Sequence, residues 1–128
     1  MSYHNITIVG NCGSDPTMRY TQDGNAVTTM SIATNKVYTN KAGEKVKKVV
    51  WFRVSVWGKM AENVNNFLHK GSLVLVEGEI NAGDDGNPKL FDRNDGSKGA
   101  SYEVMAKNVQ FLSSNKNESS EEEDPWAG

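Results

Sequence analysis

In the stretch KKVVWFRVSVWGK, residues 47–59, Trp51, Arg53, Trp57 and Lys59 recur at even spacings. Successive side chains of an extended chain point to opposite faces, so residues two apart share one. One face therefore carries two large rings interleaved with cations. The other carries Val50, Phe52, Val54 and Val56 and suits a core. Flat rings stack on nucleobases, and arginine and lysine neutralise phosphates. The row thus fits a platform for a flat, anionic ligand. The competing explanation is that one or both tryptophans pack against a neighbouring loop or subunit.

Two further segments repeat the combination. Tyr38 lies in a polar stretch with Lys36, Lys41, Lys45, Lys47 and Lys48, and Phe91 lies between Lys89 and Arg93. Such lysines alone are an ordinary solvated surface; their coincidence with four aromatics favours a binding role. Arg19 and Tyr20 follow Asp15-Pro16 and could belong to the same groove or brace a first hairpin.

Other chemistry finds little support. His4 and His69 are far apart and lack any metal-ligand or triad spacing. Asp84, Asp85, Asp92 and Asp95 are clustered, yet DRNDG does not match a calcium loop and no bidentate glutamate follows at the required place. Asp-Gly pairs are what hairpin turns demand in any case. No catalytic residue, metal or cofactor is expected. The single cysteine, Cys12, follows an apolar run and is expected as a small semi-buried hydrophobe, which fits a reducing cytoplasm.

The 128 residues suffice for one domain with a modest core. No apolar run reaches the roughly 18–20 residues that span a membrane, and none near the start is expected to act as a signal peptide. The net charge of −2 hides a split. From Ser113 onward one base stands against five acids, a net −4, whereas residues 1–112 carry 13 bases and 11 acids, a net +2. A mildly basic body with an acidic tail points to a nucleic-acid binder with an interaction tail.

These side chains need a scaffold. NITIVG predicts a first strand over 5–10, closed by the turn-rich GNCGSDP. Asp23-Gly24 signals a hairpin, and residues 27–35 alternate as a second strand. VYTNKAGEKVKK is expected as a loop turning at Ala42-Gly43, before the long third strand. Met60, Ala61, Val64, Phe67 and Leu68 have helical spacing, with Gly71 as C-cap and His69 and Lys70 in the last turn. SLVLVEGEI is a fourth strand and ASYEVMAKNVQFL a fifth. Between them, residues 83–99 carry two hairpin-turn signals. This mainly all-β layout, with one short helix between strands three and four, predicts a five-stranded Greek-key barrel of the OB type. A β-sandwich would need more strands. The expected domains are the barrel over 1–112 and a disordered acidic tail over 113–128.

NITIVGNCGSDPTMRYTQDGNAV, SIATN, WFRVSVWGKMAENVNNFLHKGSLVLVEGEI and SYEVMAKNVQFL run in order across residues 5–112, and with them the chain resembles the bacterial-type single-stranded DNA-binding proteins, SSB. The resemblance implies an OB fold, usually a homotetramer, that wraps single-stranded DNA without sequence preference in the bacterial cytoplasm or nucleoid. It also implies an acidic tail whose tip recruits replication, repair and recombination proteins, here Glu122, Glu123, Asp124, Pro125 and Trp126. Trp51 falls at the family's DNA-stacking tryptophan in W-x-R-V, and Trp57 where an aromatic precedes Gly-Lys. Tyr38 lies near an aromatic of the loop after the second strand, and Phe91 is the candidate ring of the loop between the fourth and fifth. Phe52 occupies a position often filled by histidine and associated with subunit contact; its strand phase points inward, so core and interface both stay open. With Arg53, Lys59, Lys36, Lys48, Lys89, Arg93 and Arg19, these rings form the candidate DNA-binding set.

The 83–99 segment is longer than in the best-known members. The tail ends Asp124-Pro125-Trp126-Ala127-Gly128, where the family has an acidic run closed by Pro-Phe. The alternative function is an OB-fold protein-interaction module of a primosome-type replication assembly, against which the aromatic-basic face and the acidic tail both speak.

Overall fold

The computed structural model of the chain describes residues 1–112. The expected tail, with Glu122, Glu123, Asp124, Pro125 and Trp126, lies outside the described residues. The strands are β1 (Ile6–Cys12), β2 (Thr17–Tyr20), β3 (Ala26–Thr39), β4 (Lys45–Trp57), β5 (Leu73–Ile80), β6 (Leu90–Asp92), β7 (Lys98–Ala100) and β8 (Tyr102–Phe111). One helix, α1 (Lys59–Phe67), lies between β4 and β5.

Five of these strands close on themselves. The order is β1-β5-β8-β4-β3, and β1 returns to β3 through Asn11↔Ala33 and Cys12↔Ile32. All of these pairings are antiparallel except β4–β8, which is parallel over Phe52↔Tyr102 to Ser55↔Met105. This is the predicted barrel of the OB type. β2 extends β3 at the edge, and β6 and β7 form a separate two-stranded ribbon. The closure needs close backbone approach: a Cβ on Gly10 would stand 2.3 Å from the carbonyl oxygen of Ala33.

Alternation builds the interior. Ile8, Met30, Ile32, Val54, Val56, Val74, Val76 and Val104 are buried, each two residues from another inward position or paired with one across the sheet. Each such side chain contributes about 1.5–3 kcal/mol over leaving it exposed. The helix adds Ala61 and Val64 to this core. It is tied to β3 by the buried Thr28 hydroxyl, which donates to the Ala61 carbonyl at 2.7 Å. Cys12, expected semi-buried, is fully buried at the end of β1, and burial, with Asp15 adding in the same direction, pushes its thiol up to about 11.

Three local expectations are corrected. The helix stops at Phe67, because Leu68 turns extended and buries itself in the core. Gly71 is therefore no helix cap. It has φ 91 in the turn entering β5, where its N–H donates to the Cys12 carbonyl. His69 and Lys70 lie in that turn too, with the amide of Lys70 donating to Asp15 Oδ1 at 2.8 Å. Secondly, the lysine-rich loop is mostly strand: Val37 to Thr39 pair with Lys47 to Lys45. The turn needs only Asn40 to Glu44, since Asn40 Oδ1 accepts from the amides of Ala42 and Glu44. Thirdly, β1 runs on to Cys12, two residues past its expected end. Both turns expected in 83–99 are present, with the Asp85 and Asp95 carboxylates accepting from the amides of Asn87 and Ser97. The Asn87 amide holds the Asp85 carboxyl below the usual aspartate range, and the Ser97 hydroxyl, donating at 2.7 Å, does so for Asp95 together with the Ser97 amide.

Candidate nucleic-acid interface

The face predicted on β4 is present. Val54 and Val56 are buried, Phe52 is half-buried, and Trp51, Arg53 and Trp57 point outward. The register across the sheet explains why the rings stay open. Trp51 stands opposite Ala33 and Arg53 opposite Ser31. Ser55 stands opposite Thr29, which pairs in turn with Thr17. Trp57 stands opposite Val27, whose β2 partner is Arg19. A small partner leaves Trp51 52% exposed, and Trp57, at the end of β4, is 45% exposed. The two rings are six residues apart on one strand, about 20 Å, so they are separate stacking stations and cannot clamp one base.

A cleft of about 280 Å³ opens on this face, lined by Ser14, Asp15, Thr17, Arg19, Thr29, Met30, Ser31 and Arg53. It brings Arg19 and Arg53 together, which their separation in sequence did not disclose. Among the described residues neither arginine has an ion-pair or hydrogen-bond partner. Two guanidinium groups and four hydroxyls stand there against one carboxylate, that of Asp15, which accepts from the Lys70 amide; the excess of positive charge suits an oxyanion such as a phosphate.

Lys59 does not join the row. Gly58, with φ 72, turns the chain off the strand, and Lys59 becomes the first helical residue. Tyr38, Lys36 and Lys48 lie on the other side of the β3–β4 ribbon. Tyr38 pairs with Val46 and Lys36 with Lys48, one residue out of phase with Trp51 and Arg53. Two lysines directly opposite each other are mutually repulsive. No acidic partner relieves them among the described residues, so that side also offers uncompensated positive charge. The sides meet at a second cleft of about 470 Å³, lined by Lys48, Val49, Val50, Trp51, Ala100, Ser101 and Tyr102.

Tyr102 was not among the sequence candidates. It shares its phase with buried Val104 and so looks internal, yet it sits where β8 leaves the barrel and is 64% exposed. Its ring lies 5.9 Å from that of Phe52, centre to centre. Phe91 and Arg93 come together on the β6–β7 ribbon, with the guanidinium 5.6 Å from the ring centre. Arg93 also donates to the Lys98 carbonyl at 2.7 Å, and Lys89 lies 3.9 Å from Glu103.

A barrel of this topology with such a face matches a known family. Residues 3–112 match the model described as the single-strand binding protein family. The chain belongs to that family. A single-stranded DNA-binding protein 1 from Xylella fastidiosa is 38% identical over 112 residues, covering 87% of this chain and 78% of its own length. A single-stranded DNA-binding protein 2 from Listeria monocytogenes is likewise 38% identical, with 88% of this chain and 65% of the relative covered. For one from Halalkalibacterium halodurans the identity is 39%, with 84% and 59% covered. This single-strand binding family member thus spans between about three fifths and four fifths of the length of these relatives. Among solved structures, the Plasmodium falciparum SSB in complex with single-stranded DNA superposes with a TM-score of 0.72 at 23% identity, over 88% of this chain and 97% of that one. A deletion mutant of the Thermus aquaticus single-stranded DNA-binding protein gives 0.67 at 23%, over 87% and 51%. At that identity the likeness concerns the OB fold.

Proposed function

We propose that this chain binds single-stranded DNA without sequence preference. Bases stack on Trp51 and Trp57 and on the rings of the two arms, Tyr38 and Phe91. Arg53, Arg19, Lys36 and Lys48 neutralise phosphates, with Lys59, Lys89 and Arg93 at the margins. The observation that carries the proposal is the row of half-exposed tryptophans on β4 beside two arginines without partners among the described residues, in a member of the single-strand binding family. Stacking accepts every base because every base has a π-face, which accounts for the lack of sequence preference. The protein acts as a binder rather than a catalyst. As in its family, it works as a homo-oligomer, a tetramer, in the bacterial cytoplasm or nucleoid. It recruits replication, repair and recombination proteins through the acidic segment 113–128, with Glu122, Glu123, Asp124, Pro125 and Trp126 as the contact residues.

The test is a tryptophan-fluorescence titration with a long deoxythymidine homopolymer at low and high salt, with light scattering on the same sample. Strong quenching that weakens with salt is the expected result. No quenching at low salt would move the protein-interaction module of a replication assembly to the front. A monomer by scattering would remove the wrapped tetramer.

A further inference from the structure

Two rings of the proposed interface rest on glycines, and neither glycine is needed for its backbone angle. Gly13, in the turn after β1, is fixed by its N–H, which donates to the Ser31 carbonyl at 2.9 Å. A Cβ built on it would stand 2.3 Å from Cζ3 and 2.7 Å from Cη2 of Trp51. Gly99, buried on β7, is the register partner of Phe91. A Cβ there would stand 2.6 Å from Cζ of Phe91 and 2.8 Å from Nη2 of Arg93. Non-bonded carbons settle near 3.5–4.0 Å, so either ring would have to move.

Six other glycines behave in the opposite way. Gly24, Gly43, Gly58, Gly71, Gly86 and Gly96 all have positive φ, and nothing stands within 4 Å of where a Cβ would be. They answer a conformational need of the turn. At Gly13 and Gly99 the φ is one that any residue adopts, so what glycine supplies there is space.

We infer that Gly13 and Gly99 are positioning residues for base stacking. Each is a seat on which one edge of a ring rests, so that Trp51 and Phe91 are held in place before a strand arrives and keep the rest of their surface for a base. Binding then avoids much of the entropy cost of ordering a free side chain. The inference deepens the proposed function and rests on it. Nothing about the residue type announces it, since a glycine in a turn ordinarily signals φ.

The test is a double-mutant cycle on the full chain, reading affinity for labelled deoxythymidine homopolymer at one salt concentration. Trp51→Ala should weaken binding about 5- to 150-fold, given what one stacked base contributes. Gly13→Ala should weaken it by roughly three- to tenfold and reduce tryptophan quenching at saturation, because the ring is displaced rather than removed. In the Trp51→Ala background, Gly13→Ala should then have no further effect. A merely structural glycine would give the same loss in both backgrounds, and that additivity would overturn the inference. So would wild-type affinity in Gly13→Ala. The cycle Gly99→Ala with Phe91→Ala repeats the test on a ribbon whose partner strand lies outside the barrel sheet, and it decides the matter if Gly13→Ala does not fold. Should the wild type itself ignore the homopolymer, the proposed function falls and this inference with it. A wild type that binds while both alanine variants match it overturns the inference alone.

Discussion

Two regions set aromatic rings beside cations, and they treat the cations differently. On the barrel face Arg19 and Arg53 have no partner among the described residues. On the β6–β7 ribbon Lys98 is paired with Asp92 and Lys89 with Glu103, and Arg93 donates to the Lys98 carbonyl while covering Phe91. A partnered surface cation can be redirected to a phosphate, but its ion pair, worth up to about 1 kcal/mol, must be broken first. The rings differ too. Trp51 stands on a thirteen-residue strand paired along its whole length to β3, whereas Phe91 stands on a three-residue strand with one neighbour. Counting lysines and arginines near aromatics therefore overstates the ribbon and understates the barrel.

Stability should separate the two most sharply. Ile32→Ala, deep in the barrel, is expected to lower unfolding free energy by about 2–5 kcal/mol, while Leu90→Ala on the exposed ribbon should stay within about 0.5 kcal/mol. Urea denaturation measures both. Comparable losses would mean that ribbon and barrel fold as one tight unit. Affinity comes next: Trp51→Ala should cost about 1–3 kcal/mol with deoxythymidine homopolymer, and Phe91→Ala distinctly less. Equal costs would make the ribbon a full partner in stacking and break the contrast. The smallest effect lies in the salt dependence. Losing one phosphate contact to a single strand flattens the slope of log K against log salt by about 0.7. Arg19→Ala and Arg53→Ala should each approach that value, and Lys98→Ala should fall short. If Lys98→Ala matches them, its pairing with Asp92 gives way to DNA at no cost.

The same contrast marks what was legible in the sequence. Alternation along β4 gave the barrel face directly, because Val54 and Val56 must be inside and period two then puts Trp51, Arg53 and Trp57 outside. The succession of the five barrel strands along the chain and the place of the helix between the third and fourth followed from turn residues and spacing. Tyr38, Lys36 and Lys48 were found as residues but not as a side. Tyr38 and Lys36, taken for loop, had no phase, whereas Lys48 already shared that of Val50 and Phe52; once β3 extends to Thr39, the register puts all three on the face away from Trp51. Lys59 kept the right parity and was lost to the turn at Gly58. Gly71 was mistaken for a cap because local signals cannot show that Leu68 has a place in the core. Tyr102 and the pairing of Arg19 with Arg53 in one cleft depend on tertiary closure, which no local pattern encodes.

The parallel pairing of β4 with β8 also sets an order of assembly. β3 and β4 are neighbours in sequence and can zip as soon as both exist, whereas β8 starts 45 residues after β4 ends and is the last strand of the barrel. Non-local pairing must meet its loop-closure entropy before any contact compensates it. On a ribosome, the β3–β4 hairpin therefore lacks its β8 neighbour along Phe52 to Ser55 until Tyr102 to Met105 have emerged. In pulse-labelled hydrogen exchange, amides shared by β3 and β4 should gain protection ahead of those shared by β4 and β8, and simultaneous protection would refute that order. A barrel closed by its final strand is vulnerable for nearly the whole of its own synthesis, and a truncation before residue 102 leaves an open, sticky sheet rather than a smaller barrel.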